Sequence, residues 1–131
     1  MTAPRPAVLD ASYMVEVLLG SAELPDAPLS APGHFDAEVV SALMRLHRRG
    51  VLDHDDVAAF VQLVVAVDIH RVAAAPLAER VVELRDAVAV PDAWYVALAE
   101  VLGATLFTAD LRLAAACRQQ GWCPAVTPLR S

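Results

Sequence analysis

The sequence contains no lysine: its ten basic residues are all arginine, and they face sixteen aspartates and glutamates, for a formal net charge of −6. The absence of lysine excludes Walker A nucleotide-binding loops and Schiff-base enzymes, which both need a lysine amine. The negative charge disfavours non-specific binding to nucleic acid. Any nucleic-acid site must therefore depend on a local arrangement of residues.

Aromatic residues and cysteines are also scarce. Only 5% of the residues are aromatic, so the apolar fraction of 57% is mainly Ala, Val and Leu. The two cysteines, Cys117 and Cys123, do not have the spacing of a zinc site. We predict that they form no disulfide, because a chain of this size buries enough core without one.

Long hydrophobic runs are missing as well. The longest apolar stretch, residues 57–67, is interrupted by Gln62 and is shorter than the ~20 residues that cross a bilayer. Residues 1–6 lack the apolar segment of a secretion signal. We therefore expect a cytoplasmic protein that does not associate with membranes.

Short apolar runs alternate with helical patterns along the 131 residues, a length typical of one domain. We predict a single domain over residues 1–131 with an α/β fold and a mostly parallel sheet. The predicted strands are residues 7–9, 69–72, 105–108 and 124–126, and the predicted helices are residues 12–19, 36–49, 53–67, 76–85, 93–102 and 111–120.

Four acidic residues follow strands or begin helices. Asp10 comes directly after the first strand and Asp110 shortly after a later one, whereas Glu38 and Asp92 lie at helix starts. If those two strands are parallel neighbours, Asp10 and Asp110 lie at one edge of the sheet, where α/β proteins build their sites.

Each acid taken alone also has a purely structural interpretation. Asp36, Asp92 and Asp110 are suitable helix N-caps, and Glu38 in a first turn favours the helix dipole. Asp10 is harder to explain in this way, because a charge that ends a buried strand is costly unless something pairs with it.

Several carboxylates in one place would repel one another, by ~4 kcal/mol for two charges ~4 Å apart at an effective dielectric constant of ~20. With no lysine available, a divalent ion is the natural partner, and carboxylate oxygens suit Mg²⁺ or Mn²⁺. Such an ion activates water and neutralises phosphoryl oxygens. Phosphate-accepting receivers and haloacid-dehalogenase-like phosphatases rely as families on a lysine, so the absence of lysine disfavours both. A Rossmann dinucleotide site is also disfavoured, because no G-x-G-x-x-G follows the first strand.

Four segments in this order resemble the PIN-domain proteins, and most closely the VapC toxins of bacterial type II toxin–antitoxin pairs. The segments are Val8-Leu9-Asp10-Ala11-Ser12, Phe35-Asp36-Ala37-Glu38-Val39-Val40-Ser41-Ala42-Leu43, Asp92-Ala93-Trp94-Tyr95-Val96-Ala97-Leu98-Ala99-Glu100 and Thr108-Ala109-Asp110-Leu111-Arg112-Leu113. The resemblance covers residues 8–126 and implies a three-layer α/β/α sandwich that cleaves RNA with Mg²⁺.

Carried over to this chain, the resemblance implies catalytic and metal-binding roles for Asp10, Glu38, Asp92 and Asp110. Ser12 and Thr108 stand where hydroxyls of the family support the acidic site, although Ser12 also suits a helix N-cap and Thr108 a strand. Pro91 departs from the family pattern but is harmless at a helix start. We expect the bulky Trp94 to serve in packing.

Arginines near the predicted acidic pocket are candidates for binding RNA phosphates. The alternative is that they lie on solvated helix faces. The candidates are Arg45, Arg48 and Arg49 at the end of one helix, Arg112 and Arg118 on the helix after Asp110, and Arg71 between elements.

The resemblance also implies a homodimer and a cognate VapB-like antitoxin that blocks the site. The helix bearing Val57, Phe60, Val61, Val64 and Val65 has more apolar residues than one face needs, so it is either a partner surface or, as we favour, part of the core. A second hypothesis is a PIN-like scaffold that binds a protein partner and has little nuclease activity.

Overall fold

The computed structural model describes residues 4–128, so the ends of the predicted domain, residues 1–3 and 129–131, lie outside the described part. Strands and helices alternate along the chain, and a 3₁₀ turn at Ala75–Leu77 precedes α4. The strands are β1 (Ala7–Leu9), β2 (Leu29–Pro32), β3 (His70–Val72), β4 (Thr105–Phe107) and β5 (Ala125–Val126); the helices are α1 (Ala11–Leu18), α2 (Phe35–Arg48), α3 (His54–Ala66), α4 (Ala78–Leu84), α5 (Val90–Leu102) and α6 (Leu111–Gln120).

The strands form one sheet in the order β3-β2-β1-β4-β5, and every neighbouring pair is parallel. Helices cover both sides of this sheet, which confirms the predicted α/β/α sandwich with a short parallel sheet. In the central pair, Leu9 of β1 is in register with Phe107 of β4. The residues that follow these two strands therefore emerge at the same edge of the sheet.

The core is built mainly from aliphatic side chains around β1 and α5. All three residues of β1 are fully buried, and α5 contacts β1, β2 and β4. Three alanines of α5, Ala93, Ala97 and Ala99, are fully buried, and their small side chains let the helix approach the strands closely. Packing on this face fixes the start of α5 relative to the edge of the sheet.

Strand β2 is the one strand that the sequence patterns do not predict. Its residues, Leu29-Ser30-Ala31-Pro32, include no β-branched or aromatic side chain and end in proline. The strand forms because it pairs on both sides, with β1 and with β3. Tertiary pairing thus overrides a weak local preference.

Helix α3 contributes mostly to the core. Val64 is buried, and Val57, Phe60 and Val61 are partly buried against the core. Val65 is 65% exposed and Leu63 is 54% exposed. Core burial is therefore the better interpretation for all members of the predicted apolar set except Val65.

No helix within residues 4–128 is both long enough and apolar enough to cross a bilayer. Cys117 and Cys123 are free, buried thiols.

Arg71 in β3 ties together the elements at one end of the sheet. Its guanidinium donates two hydrogen bonds to Asp36, from Nη2 to Oδ1 at 2.9 Å and from Nε to Oδ2 at 3.1 Å. It also donates to the backbone carbonyls of Val64, Val67 and Ile69. These bonds occupy the guanidinium, so the candidate role of Arg71 in binding RNA is replaced by a structural one.

We predict that Arg71→Met lowers the free energy of unfolding by about 2–3 kcal/mol, because it removes the side-chain donor of a partly buried carboxylate and of three backbone carbonyls, of which that of Val67 keeps the Ile69 amide. Urea denaturation measures the change. Arg85→Met is the matched control, since Arg85 is exposed and, within residues 4–128, its side chain bonds only to the Val82 carbonyl. An equal, small loss in both variants would contradict the structural role of Arg71.

Candidate active site

Asp10 lies between β1 and α1, and it caps the helix. Its Oδ1 accepts hydrogen bonds from the Tyr13 amide at 2.9 Å and from the Ser12 hydroxyl at 2.7 Å. The residue is only 4% exposed. A buried carboxylate thus stands at the carboxyl end of a central strand, held by two donors.

Asp110 takes the same place after the neighbouring strand β4, as the N-cap of α6. Its Oδ1 accepts hydrogen bonds from the amides of Arg112 and Leu113, at 2.9 and 3.1 Å. The sequence prediction that Asp10 and Asp110 share one edge of the sheet rests on β1 and β4 being parallel neighbours, and they are.

The hydroxyls of Ser12 and Thr108 connect the two strand ends. Ser12 Oγ accepts a hydrogen bond from the Ala109 amide at 3.0 Å and lies 3.3 Å from Thr108 Oγ1, which accepts one from the Asp110 amide at 3.0 Å. Ser12 is not the N-cap of α1, since Asp10 fills that position. Thr108 is fully buried and lies one residue beyond β4. The structure thus places both hydroxyls beside the acids, as a supporting role requires.

Glu38 and Asp92 reach the same region from two helices. Asp92 is the third residue of α5, whose N-cap is Ala89, and Glu38 is the fourth residue of α2, whose N-cap is His34. The interpretation of Asp92 and Asp36 as N-caps is therefore wrong, whereas Asp110 does cap its helix. Asp92 and Glu38 both lie in the first turn of a helix, where a negative charge favours the helix dipole.

Two residues that the sequence analysis did not identify contact Glu38. The Tyr95 hydroxyl donates to Glu38 Oε1 at 2.5 Å, and His34 Nε2 lies 3.4 Å from the same oxygen. The His34 ring packs against Tyr95, with ring centroids 5.0 Å apart, and lies 6.2 Å from the Trp94 ring. Tyr95 comes three residues after Asp92, and His34 comes four before Glu38. This helical spacing is the signal that would have indicated both.

A cleft of about 370 Å³ opens over the acids. Asp10, Glu38 and Asp92 line it together with Ser12 and Tyr95. A smaller cleft of about 140 Å³ lies beside it and is lined by Asp92, Asp110 and Arg112, among others. Asp92 borders both clefts, so the four predicted acids lie along one continuous surface.

The pKa values indicate that the acids interact. Burial raises the pKa of Asp10, while the nearby hydroxyls of Thr108 and Ser12 and the Tyr13 amide oppose the rise. Burial, followed by the negative charges of Asp10, Asp110 and Glu38, raises the pKa of Asp92 to about 6. The Asp92 carboxyl is therefore close enough to be repelled by the negative charges of all three other predicted acids.

Carboxylates repel one another over several ångströms, but to bind one Mg²⁺ their oxygens must all lie about 2.0–2.1 Å from the ion. Repulsion therefore does not require the acids to be close enough to coordinate an ion. Within residues 4–128, no group of three or more His, Cys, Asp or Glu side chains is arranged closely enough to hold a metal ion. The donor set is chemically suited to a hard divalent ion, because its members are carboxylates that destabilise one another. The side chains would have to move together to bind one.

The candidate RNA-binding arginines divide into two groups. Arg45 and Arg49 line the larger cleft and Arg112 lines the smaller one. Arg48 lines neither cleft, and Arg118 donates to the Ala114 carbonyl within its own helix. The structure thus brings three of the predicted arginines to the rim of the acidic site.

The comparison with protein families identifies the fold. A family model for the PIN domain matches residues 7–119. The chain belongs to the PIN-domain family. It is 39% identical over 121 residues to the protein named Ribonuclease VapC3 of Mycobacterium tuberculosis, an alignment that covers 86% of this chain and 88% of that protein. The predicted resemblance to PIN-domain, VapC-like proteins is confirmed.

Solved structures support the same PIN-like fold. The crystal structure of PAE2754 from Pyrobaculum aerophilum superposes with a TM-score of 0.72 at 21% identity, and the match covers 93% of this chain and 84% of that one. A toxin–antitoxin complex from Klebsiella pneumoniae contains a chain that superposes with a TM-score of 0.65 at 16% identity, covering 95% and 99% of the two chains. At these identities the likeness concerns the fold.

The raised pKa of Asp92 predicts a pH-dependent stability. An acid whose folded pKa exceeds its unfolded value stabilises the fold at low pH, and this contribution is lost as the pH rises from about 4 through about 6. Without divalent ions, Asp92→Asn should therefore be more stable than the wild type at pH 7.5 by about 1–2 kcal/mol after solvent screening. The difference should shrink towards pH 4.

Thermal denaturation in chelator across this pH range measures the effect. Asp55→Asn is the matched control, because Asp55 is exposed in the first turn of α3. It should change stability by no more than ~0.5 kcal/mol. A wild type as stable as Asp92→Asn at pH 7.5 would show that the acids do not repel one another.

Proposed function

We propose that this protein is a Mg²⁺-dependent endoribonuclease toxin that cleaves phosphodiester bonds in RNA and is inhibited by a cognate VapB-like antitoxin. The convergence of four acidic residues at the carboxyl edge of a parallel sheet carries this proposal. The ribonuclease name of the VapC3 relative supports it. Mn²⁺ is the alternative ion, because it prefers similar oxygen ligands.

Asp10, Glu38, Asp92 and Asp110 would hold the ion. When bound, it supplies an activated water and neutralises charge on the phosphoryl oxygens. Asp10 would serve as the fixed point, since it is buried and anchored by Ser12 and Tyr13. Ser12 and Thr108 would keep Asp10 and Asp110 in register across the two strand ends.

The arginines at the rim give the RNA a path across the acids. Arg45 and Arg49 line the larger cleft, Arg112 lines the smaller one, and Asp92 borders both. Phosphates bound in both clefts would place the intervening phosphodiester over the carboxylates. The strand would thus be held by the cationic rim and cleaved at the acidic centre.

The proposal includes a cytoplasmic protein that forms a homodimer and binds its antitoxin. The Klebsiella pneumoniae chain with this fold comes from a toxin–antitoxin complex. Several large apolar side chains of this chain are exposed and available for such contacts: Val65 at 65%, Leu63 at 54% and Val101 at 70%.

We predict that Asp10→Asn cleaves RNA at least about 100-fold more slowly than the wild type, because it removes the buried carboxylate that anchors the ion. Asn is also a good N-cap, so α1 should keep its start. Cleavage of a defined RNA in Mg²⁺ measures the effect. Asp55→Asn is again the control, and equal activity of Asp10→Asn and wild type would refute the assignment.

The scaffold hypothesis has one observation in its favour, the lack of a preassembled metal-binding group within the described residues. Calorimetry with Mg²⁺ or Mn²⁺ separates the two functions. Saturable binding that is lost in Asp110→Asn supports the nuclease. A wild type that binds no ion and cleaves no RNA supports the scaffold.

The position of the arginines in the larger cleft leads to a prediction about RNA binding. Arg45→Gln combined with Arg49→Gln should weaken RNA binding and lessen its dependence on salt, with a slope of log K against log[salt] smaller by about 1–2. Filter binding by Asp10→Asn backgrounds avoids cleavage during the measurement. Arg48→Gln is the matched control on the same helix, because Arg48 lines neither cleft. Equal losses in both would mean that the cleft does not direct the RNA.

A further inference from the structure

Tyr95 combines a buried ring with a hydroxyl at the edge of the site. The residue is only 1% exposed and belongs to the hydrophobic core. Its position three residues after Asp92 puts it on the same face of α5, and its hydroxyl donates to Glu38 Oε1 at 2.5 Å. A tyrosine hydroxyl carries its proton at neutral pH and a carboxylate oxygen accepts, so the hydroxyl is the donor.

His34 makes the second contact with the same oxygen. Its Nε2 lies 3.4 Å from Glu38 Oε1 and 3.3 Å from the carbonyl oxygen of Pro91. Because a carbonyl oxygen can only accept, Nε2 carries the proton and is the donor. Both contacts involve Oε1, and among residues 4–128 no hydrogen bond to Glu38 Oε2 is present. One oxygen of Glu38 is thus fixed by the protein while the other is left for a ligand.

A buried tyrosine needs a hydrogen-bond partner for its hydroxyl, but that need alone does not explain why Tyr95 bonds to Glu38. Tyr13 has the same need and meets it with a backbone carbonyl, that of Glu23, at 2.8 Å. Tyr95 instead bonds to a side chain that is 33% exposed and has three rotatable bonds. Fixing such a side chain costs rotamer entropy, and the folded protein has already met that cost before any ligand binds.

We infer that Tyr95 is a positioning residue, which with His34 holds Glu38 in the orientation that the divalent ion requires. The inference rests on the proposed function and adds to it a residue outside the acidic set. Tyr95 acts through Glu38 and need not contact the RNA or the ion. Its loss should therefore change affinity for the ion rather than affinity for the substrate.

Tyr95→Phe tests this, since it removes the hydroxyl and keeps the buried ring. We expect the Mg²⁺ concentration for half-maximal RNA cleavage to rise about 10-fold or more, as is usual when a hydrogen bond to a metal ligand is lost. The KM for RNA at saturating Mg²⁺ should stay the same. Titration calorimetry with Mn²⁺ on the protein without RNA should show the same fall in affinity, which gives a readout independent of activity.

Leu98→Ala is the stability control. Leu98 is 1% exposed on the same helix and lines neither cleft, so the variant weakens the core without touching Glu38. It should lower the melting temperature at least as much as Tyr95→Phe does and leave ion affinity unchanged. Ion affinity that falls equally in the two variants would reduce the role of Tyr95 to stability.

His34→Ala provides a second test that does not depend on the core. The His34 side chain is partly exposed and makes no capping hydrogen bond, so the variant should fold. It should weaken Mn²⁺ binding several-fold, in the same direction as Tyr95→Phe. If both variants bind ions as tightly as the wild type, and the wild type cleaves RNA, the positioning role is overturned and the proposed function stands. A wild type that neither binds ions nor cleaves RNA would overturn both.

Discussion

Repulsion among carboxylates at one edge of the sheet is the constraint on which the rest of the site depends. Because β1 and β4 are parallel neighbours, Asp10 and Asp110 emerge side by side, and α2 and α5 bring Glu38 and Asp92 to them. Burial makes the repulsion stronger, since Asp10 is only 4% exposed. The fold tolerates this through the donors around Asp10 and, below a pH of about 6, through a proton on Asp92, whose pKa is raised to about 6.

No arginine within residues 4–128 forms an ion pair with any of these four acids. With no lysine in the chain, arginine is the only permanent cation, and the ion pairs that the described residues form with arginine involve Arg71 and Arg80, with Asp36, Glu83 and Glu100 as partners. Arg45, Arg49 and Arg112 stay at the rims of the clefts. An arginine paired within the acidic cluster would relieve the repulsion, but it would also occupy the oxygens that a divalent ion needs. Placing the cations at the rim keeps the centre anionic, as the proposed divalent ion requires.

The sequence predicts the parts of this arrangement that follow from strand ends. Asp10 and Asp110 are recognisable because each comes after a short apolar run, and two parallel strands necessarily end at one edge. Tyr95 and Arg71 illustrate what it does not predict. The bond from Tyr95 to Glu38 joins α5 to α2, and the bonds of Arg71 join β3 to α2 and α3. Such contacts depend on how elements distant in sequence pack, as does β2, whose own residues have little strand preference.

Fold stability and site occupancy are coupled in this molecule by the same interaction. A group that binds the folded state and reduces the repulsion stabilises the fold by its binding free energy. Substitutions that neutralise an acid permanently achieve similar relief without a ligand, and they do so at the expense of the site. The hydrogen bonds from Ser12, Tyr13 and Tyr95 reconcile these demands, because they orient the carboxylates while leaving their charge in place. Neutral donors can therefore hold the acids in a buried position where a paired cation would abolish their use.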